Sequence, residues 1–69
     1  MINLRINGEE RSVPDGYRLS DLLSDIGLDG DDAPVAVALN LQVVPKSEQA
    51  STPLNEGDRV DVVTAVGGG

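Results

Sequence analysis

The sequence predicts an α+β domain in which a mixed sheet of about five strands carries one α-helix packed across one face. Three observations predict it. An alternating apolar–polar run ends on Asn7-Gly8, a single helical stripe follows, and a last alternating run leads directly into Gly67-Gly68-Gly69. At 69 residues the chain is one domain, close to the lower size at which a single apolar core holds a fold.

Ile2-Asn3-Leu4-Arg5-Ile6-Asn7 has the two-residue period of a half-buried strand. Asn7-Gly8 suits the positive φ angles of a tight hairpin turn, so Glu9 to Val13 is the return strand, ended by the turn residues Pro14-Asp15-Gly16. Leu19, Leu22, Leu23 and Ile26 then recur at helical spacing, while Ser20, Asp21, Ser24 and Asp25 take the solvent side. Asp21 lies in the first turn, where a negative charge complements the helix dipole. Gly27 is placed to end the helix in a left-handed cap, with Leu28 folding back onto the stripe. Arg18 is a poor N-cap.

Asp29 to Pro34 forms an acidic loop, and Val35-Ala36-Val37-Ala38-Leu39 a strand that turns at Asn40-Leu41-Gln42 into a short strand ending at Pro45. Lys46 to Leu54 reads as a loop with one helical turn. After the turn Glu56-Gly57-Asp58, Arg59 to Val66 is the last strand. A long crossover allows this strand to lie parallel to the first in the middle of the sheet, which gives the β-grasp, or ubiquitin-like, arrangement. Residues 1–66 form this domain and 67–69 a tail. Ile2, Leu4, Ile6, Val35, Val37, Leu39, Val60 and Val62 are expected to face the helix. The same period turns Asn3, Arg5, Ala36, Ala38, Asp61, Val63 and Ala65 outwards. Ala36, Ala38, Val63 and Ala65, continued by Val66 and Gly67, form a flat apolar area suited to docking a partner.

Composition narrows the chemistry. There is no cysteine and no histidine, so a thiol nucleophile and the commonest general base and metal ligand are absent. Tyr17 is the single aromatic, too little for a base-stacking platform. Five basic residues against twelve acidic ones give a net charge of −7, which disfavours nucleic acid and anionic membranes and suits a basic partner surface. Asp29, Asp31 and Asp32 lack the spacing and the distal glutamate of a calcium loop, so the expectation is a solvated acidic loop and no metal. No apolar run is long enough for a membrane span and no signal-peptide pattern opens the chain; the expected location is the cytoplasm.

The reactive candidate is the tail. Glycine lacks Cβ, so Gly68 and Gly69 can enter a slot too narrow for other residues. An extended chain from Thr64 to Gly69 reaches roughly 20 Å. A terminal carboxylate is ionised at neutral pH and is a poor electrophile. The chain has no phosphate-binding loop and no base, so activation must come from another protein and the chain is not expected to be an enzyme.

Several stretches together resemble the ThiS family of sulfur carrier proteins of thiamine (thiazole) biosynthesis. They are Val35-Ala36-Val37-Ala38-Leu39-Asn40, Val43-Val44-Pro45-Lys46-Ser47, Leu54, Glu56-Gly57-Asp58-Arg59-Val60 and Thr64-Ala65-Val66-Gly67-Gly68-Gly69, and the Asn7-Gly8 hairpin and the helix start Leu19-Ser20-Asp21-Leu22-Leu23 also fit. The resemblance covers essentially the whole chain. It implies that the Gly69 carboxylate is adenylated by a separate ThiF-type enzyme using ATP, with no cofactor bound by the chain itself. A cysteine desulfurase or another persulfide donor then supplies sulfur to form a thiocarboxylate, and a thiazole synthase of the ThiG type consumes it. Two positions depart from the family pattern: Leu41, where glycine is common, and Arg18, where threonine often caps the helix. Related carriers remain alternatives, namely the molybdopterin synthase small subunit and carriers for cysteine or tRNA thiolation. So do a ubiquitin-like protein modifier and a passive interaction domain.

Overall fold

The computed structural model describes residues 1–28 and 34–64. Its elements are β1 (Ile2–Ile6), β2 (Glu9–Val13), α1 (Leu19–Asp25), β3 (Ala36–Leu39), β4 (Gln42–Val43), the single turn α2 (Lys46–Gln49) and β5 (Arg59–Val63). The five strands form one sheet in the order β2-β1-β5-β3-β4, with β5 parallel to β1 and antiparallel to β3. The expected mixed sheet with a helix across one face is therefore what the chain forms, and the last strand occupies its centre. Among the described residues no helix is long and apolar enough to cross a membrane.

The β1–β2 turn has Asn7 at φ 51° and Gly8 at φ 86°, both left-handed, so the twist of the turn matches that of the strands it joins. Its register pairs Ile2 with Val13 and Ile6 with Glu9. On α1, Leu19, Leu22 and Leu23 are buried, and they meet Leu4, Val13, Val37, Val60 and Val62 from the sheet in one core. The helix is short, and its ends are closed from elsewhere. The Asp21 carboxylate accepts the Arg18 backbone N–H at 2.9 Å, and the Thr52 carbonyl accepts the Leu19 N–H at 2.9 Å. Arg18 itself donates no side-chain cap, so the first turn depends on these two neighbours. At the other end Gly27 has φ 77°, and the Leu28 and Gly27 amides donate to the Leu23 and Ser24 carbonyls, which satisfies two otherwise orphaned acceptors.

One expected core residue is not in the core. Val35 is 69% exposed and lies before β3, which starts at Ala36. The inward positions Val37 and Leu39 sit opposite Val62 and Val60, and one step further the partner would be Thr64, exposed and beyond the end of β5. The period-2 pattern extends past the surface that could cover it. Conversely, Leu54 is 4% exposed although it lies in the polar connection after α2.

The β3–β4 turn repeats the left-handed geometry at Asn40 (φ 50°) and Leu41 (φ 70°). A branched side chain is costly there, and Leu41 is 72% exposed, so burial does not offset the strain. Leu41→Gly is expected to stabilise the fold by about 0.5–1 kcal/mol once glycine's extra unfolded-state entropy is subtracted. A thermal melt showing Tm up by roughly 2–8 °C checks it.

Tyr17 donates its phenolic O–H to the Asp25 carboxylate at 2.6 Å. That bond is the main reason the phenol ionises above its usual 10.0; partial desolvation and the negative charges of Asp25 and Asp21 add to it, against Arg11. The interaction stabilises the fold below the unfolded tyrosine pKa of about 10 and is lost as pH rises through the higher folded value. Tyr17 is the only aromatic, so tyrosinate absorbance reads it alone. The expected midpoint lies above that of a free tyrosine and falls back in Asp25→Ala.

Candidate functional site

Position in the sheet decides what β5 can present. It lies between β1 and β3, paired with β1 at Arg59 and Val60 and with β3 from Val60 to Val63, and its side chains alternate strictly. Val60 and Val62 point into the core, whereas Arg59, Asp61 and Val63 face out. The strand ends on Val63, and the exposed Thr64 leads towards the tail. Ala65, Val66, Gly67, Gly68 and Gly69 lie outside the described residues.

On the outer face the cross-strand register brings the expected apolar residues together. Ala36 is opposite Val63, and Ala38 is opposite Asp61 on one side and Val43 on the other. Ala36 and Ala38 are half-buried by their neighbours, while Val63 is 56% and Val43 71% exposed. The result is an apolar strip across β4, β3 and β5. Val43 was not among the residues expected there. Its signal was the alternation Gln42-Val43-Val44, in which Val44 packs on the core and so turns Val43 outwards.

The strip is bordered by polar groups. Arg59 pairs with Asp61 at 2.9 Å, and Arg5 lies beside Arg59 in the parallel register. Next to them the Ser12 hydroxyl donates to Asn3 Oδ1 at 2.6 Å. An ion pair this exposed adds little to stability. Its position on the rim of an apolar strip suits orientation of an incoming surface.

Three polar side chains fix β5 at its ends. At the start, buried Asp58 accepts the Asn55 N–H at 2.8 Å and the Asn40 side-chain amide at 3.0 Å, and Asn40 Oδ1 accepts the Arg59 N–H at 3.0 Å. At the far end, Asn7 uses its side-chain amide on the backbone of Val62. Among the described residues no cluster of acidic side chains could hold a metal ion. No buried side-chain polar atom there lacks a partner. What this geometry can do is hold the last described residues, Val63 and Thr64, beside an apolar strip.

The sequence model of the ThiS family matches residues 4–69, nearly the full chain and including the three glycines. The chain belongs to the ThiS family. It is 41% identical over 68 residues to a thiazole synthase of Paramagnetospirillum magneticum, a match covering 99% of the chain and 20% of that protein. The chain thus spans about a fifth of the length of that relative. It is also 40% identical over 68 residues to the ycf40 protein of Pyropia yezoensis, covering 99% of the chain and 93% of that protein. Among solved structures, the crystal structure of the thiamine biosynthesis protein ThiS from Geobacter metallireducens superposes with a TM-score of 0.79. That likeness has 27% identity and covers 99% of this chain and all of that one. The solution structure of the Geobacter protein gives 0.80 at the same identity, over 99% of this chain and 88% of the other. These ThiS structures share the β-grasp fold described above.

Proposed function

We propose that the protein is a sulfur carrier of thiamine biosynthesis whose Gly69 carboxylate is the group that is loaded. The observation that carries this reading is family membership extending through residue 69, so that Gly67, Gly68 and Gly69 are matched together with the fold. Net charge −7 and the lack of cysteine and histidine fit a carrier whose chemistry is done by partners. A ThiF-type enzyme binds ATP, and an oxygen of the Gly69 carboxylate attacks the α-phosphorus, releasing pyrophosphate. The terminal sulfur of a persulfide on a cysteine desulfurase then attacks the acyl carbon and AMP leaves. A thiol cleaves the resulting acyl disulfide, which leaves the thiocarboxylate. The relative named thiazole synthase supports a ThiG-type enzyme as the acceptor of that sulfur. Gly68 accompanies Gly69 into both active sites because it has no side chain to obstruct them.

Incubation with ATP and the adenylating enzyme is expected to add AMP to the carboxyl end. Protein isolated from cells should show the mass gained on exchanging one oxygen for one sulfur. Isolation of high-mass lysine conjugates instead would overturn the reading in favour of a protein modifier.

In this reading the strip of Ala36, Ala38, Val43 and Val63 docks the adenylating enzyme. Val63→Asp places a carboxylate in that contact, so affinity is expected to fall about tenfold or more. Stability should drop by no more than about 1 kcal/mol, because the side chain points away from the core. Calorimetric titration with the enzyme, beside a thermal melt, reads both.

A further inference from the structure

The parallel ladder between β1 and β5 stops earlier on β1 than on β5. The Arg5 N–H donates to the Asp58 carbonyl at 3.0 Å and the Asn7 N–H to the Val60 carbonyl at 2.9 Å, a step of two on each strand. The next step requires a donor for the Val62 carbonyl and an acceptor for the Val62 N–H. The chain cannot supply them from β1, because it turns at Asn7 and Gly8 and returns as β2. The Asn7 side chain supplies both. Its Nδ2 donates to the Val62 carbonyl at 3.2 Å, and its Oδ1 accepts the Val62 N–H at 2.8 Å. A side-chain amide thus stands in for the missing peptide unit. On the other side of the same strand β3 holds Val63, with the Val35 N–H donating to its carbonyl at 2.7 Å.

We propose that Asn7 is a positioning residue for the carrier tail: its amide extends the sheet past the end of β1, so that β5 is held on both sides up to the point where the tail departs. This inference rests on the proposed loading of Gly69. Without the amide, the Val62 N–H and carbonyl lose their partners on the β1 side, and the end of β5 is held by β3 alone. A strand end held on one side only lowers the frequency with which the Gly69 carboxylate lies in line for attack. The apolar strip of Ala36, Ala38, Val43 and Val63 does not include Asn7, so the proposed docking contact is kept.

The informative variant is Asn7→Gly, since glycine accepts the left-handed φ of 51° and preserves the turn while removing the amide. Asn7→Asp is the second variant: it keeps an acceptor for the Val62 N–H but sets an oxygen against the Val62 carbonyl. Both are expected to leave the chain folded. Exchange of the Val62 amide hydrogen should rise about tenfold in Asn7→Gly, with the rest of the sheet unchanged. In steady-state transfer of AMP by the ThiF-type enzyme, kcat should fall at least about threefold while KM for the carrier stays the same. A side chain that serves only the turn would lower Tm and alter neither constant below the melting transition. Unchanged kcat in both variants overturns the proposal while leaving the function standing, because the unmodified chain run in parallel accepts AMP. Failure of the unmodified chain to accept AMP overturns the functional reading and this proposal with it. Unaltered Val62 exchange overturns the clamp itself.

Discussion

Extension of the chain by one alanine after Gly69 is expected to abolish AMP transfer and to leave folding unchanged. The reason is chemical before it is steric. The group proposed to be loaded is a free carboxylate, and peptide-bond formation to a further residue turns it into an amide that cannot displace pyrophosphate from ATP. The new carboxylate then sits one residue, about 3.5 Å, further out. It also carries a methyl group, which the proposed narrow slot for Gly69 would not admit. Removal of Gly68 and Gly69 is expected to have the same effect by leaving the carboxylate about 7 Å short. Neither change reaches the core formed by Leu4, Leu19, Leu22, Val37 and Val60. The thermal melt should therefore superimpose on that of the parent chain. Mass spectrometry after incubation with ATP and the adenylating enzyme reads the outcome, and an AMP adduct on the extended chain would sink the assignment of Gly69.

Whether an element has a local or a distant cause explains which parts of the molecule were legible in the sequence. Elements with one dominant local cause were read correctly. Asn7-Gly8 predicted the hairpin because few residues other than asparagine and glycine tolerate left-handed φ. The stripe of Leu19, Leu22 and Leu23 predicted the helix because only helical spacing places all three in one core. Gly27 predicted its end for the same steric reason that governs the hairpin. What remained hidden depends on partners distant in the chain. Val35 continues a perfect alternation, but its exposure is set by β5 ending at Val63, some thirty residues on. Leu54 stands alone in a polar stretch and is buried only because the crossover returns beneath the helix, where the Leu54 N–H reaches the Tyr17 carbonyl at 3.0 Å. The outer strip follows the same rule. Ala36, Ala38 and Val63 were placed by period alone, whereas Val43 needed the antiparallel pairing of β4 with β3 to bring it beside Ala38. The role of Asn7 beyond its turn needed the end of β5.

Asp58 is the position where a turn residue proves to be a structural centre. Its sequence context, Glu56-Gly57-Asp58, reads as an exposed turn, yet its side chain is only 9% exposed and both carboxylate oxygens are engaged. One oxygen fixes the turn by accepting the Asn55 N–H, and the other holds the Asn40 amide, which in turn orients Asn40 Oδ1 towards the Arg59 N–H. The Asn40 backbone N–H meets the Arg59 carbonyl at 2.7 Å as well, so the β3–β4 turn and the start of β5 are joined through one network. Asp58→Ala removes both acceptors and strands an amide and a backbone donor in a poorly solvated place. The expected loss is about 3 kcal/mol. For a domain of this size, whose whole stability is on the order of 5 kcal/mol, that is severe. A thermal melt should show Tm lower by more than about 10 °C. Asp58→Asn retains one acceptor and should lose roughly half as much. Asn40→Gly, which keeps the left-handed turn, cuts the same network from its other side. The doubly substituted chain should therefore lose clearly less than the sum of the two single losses. Strict additivity would mean that Asp58 and Asn40 stabilise the fold independently, and the shared network would be refuted.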